Sequence, residues 1–437
     1  MGFEEALEYL ESLGVDAMKS AQPTLSRMQA LMEALDHPER AVPTLHVTGT
    51  NGKTSTARIA ASLLAGTGLP VGTYTSPHLQ TVRERIALSG QPISAADFGD
   101  VFQYVQPYVE LVEKEIDERL TYFEVLTAMY FVWAADSVNV SVVEVGLGGR
   151  WDATNVVDSR VAVITNVGLD HTGLLGTTHD KIAREKAGII KPGSAVVTAE
   201  RRPDVLQVIR EEAKAKKSLV SRLDRDFEIT EDRLAVGGRY ISVRTSSQLF
   251  DGLFLPLLGR HQATNAATAL EAVTRFLPPR SLEEDVVAEG LGAARVPGRL
   301  ETVTDNDSPS AVVLDVAHNP DGMSALVKSL VESFVFSHAV FVLGVLADKD
   351  YRGMLLELTR LDCEVIATEA KSVRSVPAPD LARAAQDVGL HATTAESVTE
   401  AVKTAISRVG DNGLACVTGS HYVVGEARST LAGQPLP

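Results

Sequence analysis

Leu45-His46-Val47-Thr48-Gly49-Thr50-Asn51-Gly52-Lys53-Thr54-Ser55 runs from an apolar strand end through a glycine turn into an Ala-rich helical pattern, Thr54 to Leu64. A turn of this kind points consecutive backbone N–H groups at phosphate oxygens, and the helix N-terminus adds partial positive charge. Lys53 supplies a full charge toward the β and γ phosphates. The strict pattern GxxxxGK[ST] is not met, because its first glycine falls on Val47. Gly49, Thr50, Asn51, Gly52, Lys53, Thr54 and Ser55 are expected to form an irregular P-loop that binds ATP.

Outward from this loop, apolar strand-like runs alternate with longer helical patterns, which predicts an α/β fold with a mostly parallel sheet. Further strands are expected at Val140 to Val145, Val161 to Thr165 and Ala195 to Thr198. Phe227 to Leu258 changes character: Arg239 to Arg244 alternates with period two between glycines, and predicts a small antiparallel addition. Gln262 to Phe276 resumes a helix. After the glycines and proline of Gly292 to Gly298, four strand patterns begin at Val312, Val340, Cys363 and Leu414, enough for a Rossmann-like second domain. The boundaries read as 1–296 and 297–437.

The chain has 437 residues, 45% hydrophobic and 5% aromatic, which fits two or three domains with aliphatic cores. A net charge of −16 argues against nucleic acid and anionic membrane as partners. Any anionic substrate needs a local basic pocket, for which Arg83-Glu84-Arg85 is a candidate. No apolar run is long enough to span a membrane, and Met1 to Leu10 reads as an amphipathic helix rather than an export signal, so a cytoplasmic protein is expected. The two cysteines, Cys363 and Cys416, are too few and too isolated for a disulfide framework or a zinc site.

The second informative stretch is Glu144-Val145-Gly146-Leu147-Gly148-Gly149-Arg150-Trp151-Asp152-Ala153-Thr154-Asn155. A dinucleotide fingerprint requires glycine where Trp151 stands, so that reading fails. Glu144 at a strand end suits a carboxylate that meets Mg²⁺ beside the P-loop.

Together with these, Thr75-Ser76-Pro77-His78-Leu79, Thr121-Tyr122-Phe123-Glu124, Gly168-Leu169-Asp170-His171, Glu185-Lys186-Ala187-Gly188-Ile189, His261-Gln262 with Asn265, Pro297-Gly298-Arg299, Asp315 with Ala317-His318-Asn319-Pro320, Asp348-Lys349-Asp350 and Val417-Thr418-Gly419-Ser420 occur in order along the chain. In this set the chain resembles the folylpolyglutamate synthases and dihydrofolate synthases of the Mur ligase superfamily. The resemblance implies a P-loop central domain with a pterin site, and a C-terminal domain that binds glutamate. ATP would phosphorylate a substrate carboxylate, and the amino group of L-glutamate would displace phosphate from the acyl phosphate. The acceptor would be folate, and the segment around Phe123 tilts the reading toward dihydropteroate as well.

Residue by residue, the resemblance assigns Ser76, Glu144 and His171 to Mg²⁺, with Thr54 able to share or replace the part of Ser76, and it implies a second Mg²⁺ near Lys186. Lys186 matches a lysine that is carried as a carbamate. Asn265, Arg299 and Asp315 would contact the nucleotide. Thr121, Tyr122, Phe123, Glu124, Trp151, Asp152 and Ala153 would line the pterin site, where flat rings stack and carboxylates accept N–H groups. His318 and Ser420 would meet the incoming glutamate. Lys53, Lys186, Asp315 and His318 form the expected catalytic set, and the enzyme is expected to work as a monomer. A cell-wall Mur enzyme would carry a whole nucleotide-sugar domain ahead of the P-loop. A regulatory ATPase would need Lys53 and Glu144 but not Lys186, Asp315 or His318, and a folate-binding module would not need the phosphate cradle.

Overall fold

The computed structural model describes residues 2–14, 24–278, 282–304, 311–410 and 412–432. Met1 of the expected first helix lies outside them, and the helix itself runs Phe3–Ser12.

An eight-stranded sheet holds β1 (Thr44–Thr48), β2 (Val71–Tyr74), β3 (Ile86–Leu88), β4 (Gln91–Pro92), β5 (Val140–Glu144), β6 (Val161–Ile164), β7 (Ala195–Thr198) and β8 (Leu219–Arg222). Their order is β4-β3-β2-β5-β1-β6-β7-β8. All pairs from β2 to β8 are parallel; only β2-β3 and β3-β4 run antiparallel. β1 and β5 are buried at every position, as expected for strands covered on both faces, and so read as continuous apolar runs. On one face Leu45, Val47, Val142 and Val163 pack under helices Lys53–Gly66 and Arg260–Phe276. On the other face Tyr74 and Val143 meet helices Ala95–Ile116 and Tyr122–Ser137.

The antiparallel addition is a three-stranded sheet, β11-β10-β9, of β9 (Glu228–Ala235), β10 (Gly238–Arg244) and β11 (Leu249–Leu255). The second large sheet holds β12 (Glu301–Thr304), β13 (Ala311–Leu314), β14 (His338–Leu343), β15 (Cys363–Ala367), β16 (His391–Thr394) and β17 (Gly413–Thr418), in the order β12-β13-β17-β14-β15-β16. Only β12 pairs antiparallel.

The sequence pattern did not reveal β2, β3, β4, β8, β12 or β16. β2 is buried at every position but spells Val71-Gly72-Thr73-Tyr74, which is no apolar run. β8 and β16 are short edge strands, and each exposes part of its surface, so neither carries the apolar run that marks a central strand. Among the described residues, no helix is long and apolar enough to cross a membrane.

Candidate active site

A cavity of about 670 Å³ lies between the two large sheets and takes its lining from both. Its floor is the loop that joins β1 to helix Lys53–Gly66. The strand end β6 fastens this loop: Thr50 N donates to Asn166 O (2.9 Å), Asn51 N to Asn166 Oδ1 (3.0 Å), and Thr165 Oγ1 to Asn51 O (2.6 Å). Gly52 sits at φ +83° and no side chain caps the helix, so the first-turn N–H groups are left to the cavity that Gly52 to Ser55 line. Lys53 Nζ folds back onto Gly49 O (3.0 Å) and Thr50 O (3.3 Å), both of which can be exchanged for phosphate oxygens. Lost hydration pulls its amine below the ordinary lysine value, opposed by the charges of Glu144 and Asp170.

Glu144 ends β5 beside this loop, 1% exposed. Thr54 Oγ1 donates to its Oε1 (2.9 Å) and the backbone N–H of Ser76 to its Oε2 (3.2 Å). Burial raises its carboxyl, with Lys53 and the Thr54 hydroxyl opposing. A buried carboxylate with a hydroxyl on one oxygen and spare lone pairs is a donor set that suits a hard, oxygen-seeking cation. Thr54 brings its hydroxyl to Glu144, whereas Ser76 reaches it through the backbone. Among the described residues no three carboxylates, imidazoles or thiols are arranged to hold a metal ion by themselves, so a cation here would depend on hydroxyl and nucleotide oxygens as well.

Lys186, on helix His179–Ala187, is buried and donates at 2.9 Å to Gly49 O, the same carbonyl that Lys53 meets. Burial, helped by the charge of Lys53, lowers its amine to about 7.

Asn265 faces the loop from helix Arg260–Phe276. A Cβ added to Gly52 would lie 2.5 Å from Asn265 Oδ1, so glycine is required there both for φ and for room. Asn265 Nδ2 donates to Gln262 Oε1 (3.1 Å), while Gln262 Nε2 is buried and has no partner. This orphaned amide, on the cavity wall, fits a ring-nitrogen or carbonyl acceptor on a ligand. Arg299 and Asp315 stand where the chain enters the second sheet. Asp315 accepts from Leu300 N and Ala317 N, both at 2.9 Å, and so ties the crossing segment to β13. Burial raises its carboxyl, with Arg299 opposing. The Arg299 guanidinium lines the cavity and makes no hydrogen bond among the described residues.

The expected pterin wall divides. Tyr122 and Phe123 do line the cavity, and Phe123 presses on Gly146, where an added Cβ would lie 2.6 Å from its ring. Thr121 and Glu124 do not line it: they form a capping box at the start of helix Tyr122–Ser137, and Glu124 also accepts from buried Arg27 Nε at 3.1 and 3.2 Å. Asp152 and Ala153 are likewise turned away. Asp152 accepts from Leu147 N (2.8 Å) and Thr154 N (3.1 Å), Ala153 joins the core, and Trp151 is 48% exposed beyond the cavity lining. These residues hold the Gly146 loop instead of facing the cavity, because an unpaired buried carboxylate is satisfied soonest by nearby backbone N–H groups.

From the second sheet come His318 and Ser420, both lining the cavity. His318 Nδ1 meets Val316 O (3.0 Å), and Ser420 Oγ accepts from Val423 N (3.3 Å). Asp170 bridges the cleft: it accepts from Lys349 Nζ (2.7 Å) and Asn319 Nδ2 (3.3 Å), with His318 Nε2 at 3.6 Å. Burial alone would raise its carboxyl, but His318 and Lys349 hold it well below the usual carboxylate range. His171, in the left-handed region at φ +49°, meets Lys349 Nζ through Nε2 at 3.0 Å; burial and that neighbouring charge lower its imidazole to about 4.

Residues 47–273 match the Mur ligase middle domain, and residues 298–421 match the Mur ligase, glutamate ligase domain. A dihydrofolate synthase/folylpolyglutamate synthase of Mycobacterium tuberculosis is 38% identical over 94% of this chain and 91% of its own. The chain belongs to this branch of the Mur ligase family. The solved Mycobacterium tuberculosis folylpolyglutamate synthase complexed with ADP superposes with a TM-score of 0.93, at 38% identity, covering 99% of this chain and 100% of that one. A bifunctional folylpolyglutamate synthase/dihydrofolate synthase solved with Mn, AMPPNP and L-glutamate bound superposes at 0.85, with 31% identity, 99% of this chain and 98% of that one covered.

Within this Mur ligase fold, two groups escaped the sequence reading as site residues. Asp170 and Lys349 lie in stretches singled out for their resemblance, yet they are 179 positions apart and nothing local couples them. The free amide of Gln262 shows only once the helix is packed.

Proposed function

We propose that the chain is an ATP-dependent ligase that joins L-glutamate to the carboxylate of a folate, and of dihydropteroate. The observation that carries this reading is a single cleft in which the uncapped helix at Lys53, the buried Glu144 with its Thr54 hydroxyl, and His318 and Ser420 of the glutamate ligase domain face one cavity. The names of the relatives and the nucleotide, metal and amino acid held by the solved members support it.

The substrate carboxylate oxygen attacks the γ phosphorus of ATP, and ADP leaves. The glutamate nitrogen then attacks the acyl carbon, loses a proton, and phosphate departs with the former carboxylate oxygen. Lys53 and the first-turn N–H groups stabilise the charge that gathers on the phosphoryl oxygens. Thr54, Ser76 and Glu144 would hold one Mg²⁺ and His171 a second, which supply positive charge between the two reacting anions. Gln262 and Asn265 present amide donors and acceptors to the adenine, and Arg299 and Asp315 close on the nucleotide from the crossing segment. Tyr122 and Phe123 pack on the pterin, with Asp152 acting only through the loop it pins. His318 and Ser420 position glutamate.

At a value near 7, much of Lys186 is a neutral amine at physiological pH, the form that adds CO₂. A carbamate there would turn a buried cation into an anion beside the loop, suited to the second Mg²⁺. We read 1–296 and 297–437 as the two functional domains of a cytoplasmic monomer.

The test is the purified protein with ATP, Mg²⁺ and glutamate, offered dihydropteroate or tetrahydrofolate separately while ADP and product mass are followed. Both acceptors should gain one glutamate. Absence of a glutamate-dependent product from either one refutes the reading.

A further inference from the structure

We propose that Lys349 is a positioning residue that occupies the cation place at His171 and must leave it before a divalent cation can load there. The proposal rests on the reading of His171 as a metal ligand. Lys349 Nζ lies 2.7 Å from Asp170 Oδ1 and 3.0 Å from His171 Nε2. An ammonium group has donors and no acceptor, so Nε2 must be the unprotonated nitrogen of the ring. That lone pair is the one an imidazole presents to a metal. One lone pair cannot serve both, and the two cations repel each other at this distance.

The two sides of this contact come from different sheets. Lys349 follows β14, whereas Asp170 and His171 follow β6, and the Lys349 side chain is only 7% exposed. Lys349, Asp170 and His171 are thus a bridge across the cleft as well as an occupied metal position. Release of Lys349 needs another anion, and the cavity it faces is the one that receives triphosphate and carboxylates. Cation loading at His171 then follows the arrival of the anionic substrates, which restrains phosphoryl transfer in their absence. A mere strut between the sheets would act in the other direction, since its loss would loosen the His171 loop and weaken metal binding.

Mn²⁺ binding to the nucleotide-free protein, read from the electron paramagnetic resonance of free Mn²⁺, separates the two. Lys349→Met keeps the apolar stem, Lys349→Ala removes it, and circular dichroism checks that both are folded. Both variants should bind Mn²⁺ more tightly by about 10- to 100-fold, the equivalent of one charge-assisted hydrogen bond. The gain should vanish when His171→Ala is added, and shrink when a non-hydrolysable ATP analogue is present. Unchanged or weaker Mn²⁺ binding in Lys349→Met, with dependence on His171 intact, overturns the proposal and leaves the metal reading standing. Binding indifferent to His171→Ala overturns both.

Discussion

Replacing Gly52 with alanine strikes the turn of the loop and the proposed adenine wall at Asn265 together. Gly52 sits at φ +83°, where a Cβ costs about 1–2 kcal/mol. That Cβ would also stand 2.5 Å from Asn265 Oδ1, too close for either atom to stay. Asn265 must give way, and because it is held by Gln262, leaving its rotamer costs about 0.5–1.5 kcal/mol. Gly52→Ala should therefore destabilise by about 1.5–3.5 kcal/mol in all. The two parts separate in a double-mutant cycle. Asn265→Ala removes the obstacle, so the double variant should be more stable than the sum of the single effects by about 0.5–1.5 kcal/mol, whereas the φ share persists. Urea unfolding of the four proteins, followed by circular dichroism, reads this directly. ATP-analogue binding should weaken in Gly52→Ala, because the displaced amide no longer faces the base. Additivity within about 0.3 kcal/mol would refute the contact argument, and an undiminished stability in Gly52→Ala would refute the backbone argument as well.

Lys53→Met should lower kcat by about 100- to 1,000-fold, the range for losing one preorganised donor to transition-state charge, while thermal unfolding changes little; a loss smaller than tenfold in ADP release would remove Lys53 from the chemistry. The Lys186 amine has a folded value of about 7 against an ordinary 10.5, so the unfolded chain binds more protons between those values and stability rises with pH across that window. In CO₂-free buffer, Lys186→Met should therefore gain most over the parent below about pH 7 and lose the advantage as pH approaches 10.5. Urea midpoints measured across that range check it, and a constant difference would contradict the burial argument.

Much of the fold was legible because its central strands are covered on both faces. Burial on both sides turns β1, β5, β6, β7, β14, β15 and β17 into plain apolar runs, and the period-two stretch of β10 marks the antiparallel addition. Edge strands gave no such signal. The phosphate loop was legible for a related reason, since a strand, a glycine turn and a helix with a lysine at its start are contiguous, and local geometry alone makes them a cradle.

What required the tertiary structure was every partnership between distant residues. Glu124 and Asp152 look alike in sequence to carboxylates that could face a ligand, and only packing reveals that Arg27 and the N–H groups of Leu147 and Thr154 have taken them. Lys349 reads as one more charge in Asp348-Lys349-Asp350 until the second sheet brings it to His171. The sequence by itself determined the elements and the chemistry of the phosphate loop, because those follow from neighbouring residues. The closed cleft decided which charges meet, because a carboxylate or an amine removed from water takes whichever partner the fold brings within reach.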